Sequence, residues 1–402
     1  MNSNIESLYK IAQKNTRTII GLMSGTSLDG LDVALCEISE SGKNTHLRLK
    51  EFQTVPYSDT TKAEIRKVFA KKTIDFQHLA LLNEWIGNLH ANMVLDCLQK
   101  WEVASAEVDL IASHGQTVMH APKIIHQQTQ FPNATLQIGD GDHIAVRTGI
   151  ITVSDFRQKH VATGGEGAPL AVYGDYYLCS SETENRIMLN LGGIGNFTYL
   201  PKNKNPEQVF VTDTGTGNTL IDAFVQLHFS EMSYDKDAEI ARKGTINSDL
   251  LKALKNNSFF KASFPKTTGP ELFNLDYVQK AMIESQTQQL AVEDVLATLT
   301  RFSAETAAEA ILFAINQSNT TAKDCTVYVS GGGVHNPLLM EHLNELIACQ
   351  FKNTNDLGIS ADAKEAILFA VLANETITGS PTDFGTKQGI PSVRMGKISF
   401  PD

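Results

Sequence analysis

The chain of 402 residues is poor in cysteine. Cys36, Cys97, Cys179, Cys325 and Cys349 are odd in number, far apart and never in C-x-x-C spacing. That excludes a disulfide framework and a thiolate zinc site, and it predicts a reducing, cytoplasmic setting. A basic surplus is also lacking: 34 Lys and Arg stand against 45 Asp and Glu, a formal net charge of −11. With so little positive charge to offset phosphates, neither nucleic acid nor a membrane surface is expected as a main partner. No run approaches the roughly 20 apolar residues of a transmembrane helix. Residues 1–17 lack the apolar core of a signal peptide. The Walker A sequence and the kinase-type glycine fingerprint are missing too, which excludes those two nucleotide folds.

What remains is ordinary for a globular protein, with 42% hydrophobic and 20% charged residues, and long enough for two or three domains. One stretch organises the rest. Ile19 to Leu35 reads as two alternating apolar runs joined across Asp29-Gly30, a dipeptide suited to a tight hairpin. Between the runs, Ser24-Gly25-Thr26-Ser27 can turn backbone N–H groups and hydroxyls outward together, a cradle for a phosphate. A plain surface hairpin is the alternative. Leu47–Thr54 suits a third strand, Ser58 or Asp59 can cap a helix through Ile65 and Val68, and Asp75–Lys100 has helical periodicity. Val108–Ala112 reads as a short buried strand that empties into a polar loop, Ser113-His114-Gly115-Gln116-Thr117. Ile150–Phe156 leads likewise to Arg157 and then to the glycine cluster Gly164–Leu170. Arg157 is a natural clamp for an anion or a hydroxyl, or else half of a surface ion pair.

The pattern then restarts. Arg186–Leu200 is a second glycine-centred hairpin, with Gly192, Gly193 and Asn196 at its turn. Val209–Thr212 enters Asp213-Thr214-Gly215-Thr216-Gly217-Asn218 and a helix from about Thr219 to Leu227. Cys325–Ser330 enters Gly331-Gly332-Gly333 and a helix from Pro337, the counterpart of the Val108–Thr117 unit. Matched units in one order predict an α/β fold of two similar halves. Thr245–Leu254 reads as helical, Phe264–Asn274 as a loop, and Val295 to Ile311 as a longer helix. The final helix, about Asp362 to Thr376, places Glu365 in its first turn. Glycine hairpins of this kind would hold triphosphate oxygens, and Gly331, Gly332 and Gly333 would leave room for adenosine. Phosphoryl transfer then asks only for a magnesium ion and one base. Asp213 suits the base, at the end of an apolar strand beside Gly215 and Gly217, where desolvation would raise its pKa. A helix cap or a magnesium-shell carboxylate is the alternative.

Gly21–Asp32, Ser113–Thr117, Ser154–Arg157 with Gly164–Leu170, Asp213–Asn218 and Gly331–Asn336 together resemble the anhydro-N-acetylmuramic acid kinase family, in order from about Thr18 to Thr378. The Met-Ser-Gly-Thr-Ser-Leu-Asp-Gly stretch is the closest part of the resemblance. It implies two tandem ribonuclease H-like domains of the actin/hexokinase/Hsp70-like superfamily with an inter-domain active-site cleft. The lobes would span 18–170 and 171–378, the last helix able to pack back on the first lobe, with a tail over 379–402. By the same resemblance ATP and Mg²⁺ are the cofactors. Water opens the 1,6-anhydro ring of anhydro-N-acetylmuramic acid, O6 takes the γ-phosphoryl group, and the product serves peptidoglycan recycling. Asp213 matches the catalytic aspartate, Glu365 a glutamate near the substrate, and Gln116, Thr117 and Arg157 substrate-side positions. The nucleotide loop would be Gly25, Thr26, Ser27, Leu28, Asp29, Gly30, Leu31 and Asp32; the metal ligands stay open. Three residues depart from the family pattern: His160 where an aspartate is usual, Glu166 for a glutamine and Pro270 for an arginine. A homodimer is expected on the family alone. The competing expectations are a kinase for another 1,6-anhydrosugar such as levoglucosan and an actin-like ATPase that is not a kinase.

Overall fold

The computed structural model describes residues 2–269, 271–360, 362–385 and 389–402. The chain divides into two compact units, Met1–Cys179 with Asp362–Asp402, and Ser180–Ala361.

The first unit is built on a seven-stranded sheet. Strands β1 (Thr16–Ser24), β2 (Gly30–Ser39) and β3 (His46–Pro56) form an antiparallel meander. β4 (Leu110–Ala121) lies parallel to β1, and β6 (Thr152–Ser154) parallel to β4. β5 (Ala134–Ile138) pairs antiparallel with the far end of β4. The strands form because both faces are covered, so β1 and β2 carry near-continuous Ile, Leu and Val. Ile20, Leu22, Val33 and Leu35 join Leu82, Ile86 and Val94 of the helix Phe76–Lys100 in one core. Asp75 starts that helix by accepting from the N–H groups of Gln77 and His78. Gly21 turns to the helix Lys364–Ile377, so near that a Cβ there would meet the Ala366 carbonyl oxygen at 1.9 Å.

The second unit holds five strands: β7 (Asn185–Leu191), β8 (Ile194–Leu200), β9 (Phe210–Thr216), β10 (Cys325–Ser330) and β11 (Gln350–Asn353). Their order, β11-β10-β7-β8-β9, repeats the first unit's β6-β4-β1-β2-β3. Again a meander leads to two parallel strands. The helix Val292–Gln317 packs Ala304, Ala307 and Ile311 against this sheet, and its earlier turns join a second, helical core with Phe273 and Leu220.

Three expectations need correction. First, the division falls after Cys179, not after residue 170, and the tail joins the first unit along with the last helix, for which the resemblance left that room. The reason is packing: in the helix Ala171–Cys179, Asp175 pairs with Lys364 at 2.7 Å, and a Cβ on Gly174 would meet Leu368 at 2.7 Å. The tail, for its part, supplies β12 (Lys397–Ser399), antiparallel to β6. Second, the first hairpin turns over 25–29, not across Asp29-Gly30. Leu28 takes the left-handed conformation at φ 61°, while Gly30 is already in β2. A Cβ on Gly30 would meet the Val55 carbonyl oxygen at 2.2 Å, so its glycine answers to a neighbouring strand. Third, Ser113–Thr117 and Asp213–Thr216 are strand rather than loop. β4 and β9 run straight through them with irregular register.

Candidate active site

In the first unit the turn leaves Thr26, Ser27 and Asp29 exposed, with Leu28 buried beneath them. Leu31 is buried, and Asp32 follows half-buried, accepting from the Thr54 hydroxyl at 2.5 Å. Burial raises the Asp32 carboxyl above its usual range; the Thr54 hydrogen bond opposes this, and Asp362 and Asp29 add to it. Gln116 is fully buried and donates from Nε2 to the Gly25 carbonyl at 3.3 Å. The structure thereby joins the first residue of the expected nucleotide turn to a substrate-side candidate. Thr117 stays partly accessible, its hydroxyl accepting from Gln137 at 3.1 Å.

Arg157 lies on the helix Phe156–Ala162. Its Nε donates to His114 Nε2 at 2.9 Å and its Nη1 to the Gly167 carbonyl at 2.6 Å. These partners exclude the surface ion pair. His114 therefore carries its proton on Nδ1, and burial, then Arg157, keeps the ring neutral. Burial lowers the Arg157 guanidinium to about 10, against the pull of Glu365. Glu365 occupies the first turn of the helix Lys364–Ile377 and is exposed. The surrounding protein raises its carboxyl, Arg157 and Lys364 pull it down, and Asp32 pushes it further up. Of the departures, His160 accepts the Gly167 N–H on Nδ1 at 2.9 Å, so His160 and Arg157 hold Gly167 by its N–H and by its carbonyl. Glu166 is partly buried, which raises its carboxyl. Pro270 lies outside the described residues.

In the second unit Asp213 sits inside β9, opposite Asn196 of β8. Its backbone N–H donates to the Lys266 carbonyl at 3.0 Å, and its Oδ2 accepts the Thr268 N–H at 2.8 Å. Among the described residues it caps no helix. Burial raises its pKa to about 6, the Thr268 N–H opposes this, and Glu271 adds to it. The glycine turn Gly192-Gly193 is sewn to the start of the helix Thr219–His228. Gly192 accepts the Asn218 N–H at 2.9 Å, and Gly193 accepts the Gly217 N–H at 2.8 Å. A Cβ on Gly217 would meet the Gly192 oxygen at 2.2 Å, so this seam requires glycine. Gly215 has φ 128° and Gly331 φ 84°; a Cβ on Gly333 would meet that of Leu191 at 2.6 Å.

Beside Gly332 opens a cavity of about 490 Å³, lined also by Asn218, Asp222, Asp235, His335 and Asn336. Most of its polar groups are spent. Asp235 accepts from the N–H groups of Ile240 and Ala241, Asn336 caps Leu339, and Asn218 donates to the Leu191 carbonyl. The Asp222 carboxylate has no hydrogen-bond partner among the described residues, and burial raises its pKa to about 6. Sequence reasoning missed Asp222. The available signal was its place one helical turn beyond Asn218, on the face that Asn218 shares. Among the described residues no three His, Cys, Asp or Glu side chains gather to hold a metal ion.

Two sheets of one strand plan, each with a glycine turn at its first hairpin, define a duplicated α/β architecture. The comparisons narrow this. The family model for anhydro-N-acetylmuramic acid kinase matches residues 17–399. A curated relative of that name from Pseudoalteromonas atlantica is 56% identical, covering 100% of both chains. Another from Caldanaerobacter subterraneus is 38% identical, covering 98% of this chain and 100% of its own. Among solved structures, an activator of 2-hydroxyisocaproyl-CoA dehydratase from Clostridium difficile with bound ADPNP covers 90% of this chain and 95% of its own. Its TM-score is 0.40 at 9% identity, too distant to bear on function. The chain belongs to the anhydro-N-acetylmuramic acid kinase family.

Proposed function

We propose that this protein uses ATP to convert anhydro-N-acetylmuramic acid to N-acetylmuramic acid 6-phosphate, within peptidoglycan recycling. Family membership over nearly the whole chain supports the substrate and the donor. Asp213 is assigned as the general base that activates water for attack at C1. Its raised pKa supports this, since a carboxylate near 6 accepts a proton readily yet is ionised at neutral pH. So does its geometry, with Oδ2 held by Thr268 and Oδ1 without a partner among the described residues. O6, released as the ring opens, attacks the γ-phosphorus, and ADP leaves. Arg157, Thr117 and Glu365 are assigned to the sugar, and Gln116, buried with its amide spent on Gly25, Thr117 and Ser24, to the wall behind them. The turn from Gly25 to Asp32 and the glycines Gly192, Gly193, Gly215 and Gly217, with Asn196, are assigned to the phosphates. Gly331–Gly333 and the cavity at Asp222 are assigned to the nucleoside.

Magnesium held by a nucleotide asks for phosphate oxygens, waters and one or two carboxylates rather than a protein cage. Asp32, beside the proposed phosphate turn, offers such a carboxylate, and the bound ion would neutralise phosphate charge. No helix of the described residues is long and apolar enough to cross a membrane, and no disulfide joins the five cysteines. Both support a cytoplasmic setting. A homodimer rests on the family alone and is checked by sedimentation. The deciding assay supplies ATP, Mg²⁺ and either anhydro-N-acetylmuramic acid or levoglucosan. The muramic sugar should yield a 6-phosphate at the higher kcat/KM. Preference for levoglucosan would move the assignment to a plainer anhydrosugar, and ATP loss without sugar would reduce it to an ATPase.

A further inference from the structure

Behind the proposed phosphate turn lies a buried chain of hydrogen bonds whose direction can be worked out proton by proton. Gln116 Nε2 faces two carbonyl oxygens, Gly25 at 3.3 Å and Thr117 at 3.2 Å. Flipping the amide would set three acceptors together, so Oε1 points the other way, to Ser24 Oγ at 2.5 Å. That oxygen can only accept, so Ser24 spends its one proton there. The Tyr57 hydroxyl, 2.8 Å from Ser24 Oγ, must then donate to it. Tyr57 has no proton left for His90 Nε2 at 2.6 Å, so His90 donates from Nε2 to the phenol oxygen. Ser24, Tyr57, His90 and Gln116 are all buried, at 1%, 4%, 0% and 0% exposure. Each link therefore fixes the direction of the next.

We infer that Tyr57 and Ser24 are positioning residues for the kinase reaction: they brace the Gln116 amide, whose sense the Gly25 and Thr117 carbonyls set, and so hold the Gly25 turn. The inference rests on the reading of Gln116 as the wall behind the sugar-side groups and of the turn as the phosphate cradle. One amide then links the two, with its oxygen fixed by Ser24 and its nitrogen fixed on Gly25. A polar network that served only to fill the core would stabilise the unit without this coupling.

The test is a double-mutant cycle on the full-length enzyme with Tyr57→Phe and Gln116→Met, and Ser24→Ala as a second probe of the same link. With the native glutamine, Tyr57→Phe should lower kcat/KM for the anhydrosugar about tenfold, with less than about twofold further loss once Gln116 is methionine. Ser24→Ala should follow the same pattern. Equal factors in both backgrounds, tracking the fall in Tm, would mark a structural role and overturn the inference, as would no loss from Tyr57→Phe or from Gln116→Met. If the wild-type enzyme fails to turn over the sugar, the functional reading falls. The cycle is then read on Kd for a non-hydrolysable ATP analogue, where additivity overturns the inference by itself.

Discussion

At Asp213 the demands of chemistry and of folding oppose each other. Its folded pKa of about 6 lies above the ordinary 3.8, so the fold prefers the protonated form. Stability from that preference is present at low pH and is lost as pH rises through about 6. Above that pH the ionised carboxylate costs the fold up to about 3 kcal/mol. Asp213→Asn should therefore raise Tm at pH 8 by a few degrees and leave it nearly unchanged at pH 4, as scanning calorimetry would record. The same variant should lose roughly a thousandfold or more in kcat, because amide nitrogen cannot take the proton from water. In the native enzyme kcat/KM should fall tenfold per pH unit below about 6. Asp222 makes a different demand. If its carboxylate accepts from the ribose hydroxyls, Asp222→Asn should raise KM for ATP about tenfold, with a smaller effect on 2′-deoxy-ATP. Steady-state kinetics with the two nucleotides would check it.

Elements set where those residues can stand. β1 lies so close to the helix Lys364–Ile377 that only hydrogen fits between them at Gly21. Gly21→Ala would have to push the helix away, carrying Glu365 with it. A loss of about 2–3 kcal/mol is expected, measured by urea denaturation. Such close approaches explain what could be read from the chain alone and what could not. Apolar periodicity predicted the Phe76–Lys100 helix, the two hairpins and the strand before Gly331, because those patterns follow from burying one face or both. The Asp29-Gly30 turn went astray because a glycine needed for a tight turn and one needed beside a neighbouring strand look alike. Ser113–Thr117 was misread for a related reason. Polar residues signal a loop unless partners far along the chain, here Arg157 for His114 and Ser24 for Gln116, satisfy them inside a strand.

Over the whole molecule, the repeated strand order was legible as a restart of the pattern, and the resemblance left room for the last helix to pack back on the first lobe. Nothing in the tail, however, reveals that its strand pairs with β6, a long-range contact. A chain ended after residue 361 should therefore leave the first unit unfolded and the second intact. Limited proteolysis with mass spectrometry should recover a resistant fragment confined to 180–361.

That interrupted arrangement, in which the sequence of one unit is inserted within that of the other, also bears on how the protein is made. Ser180–Ala361 leaves the ribosome with every strand of its sheet in hand, while the earlier-made Met1–Cys179 still lacks a helix and an edge strand. Until the final residues emerge, the apolar back of β1 has no cover, and a nascent chain in that state is a natural client for a holding chaperone. Birth order in this protein thus runs against sequence order: the part translated first is the part completed last.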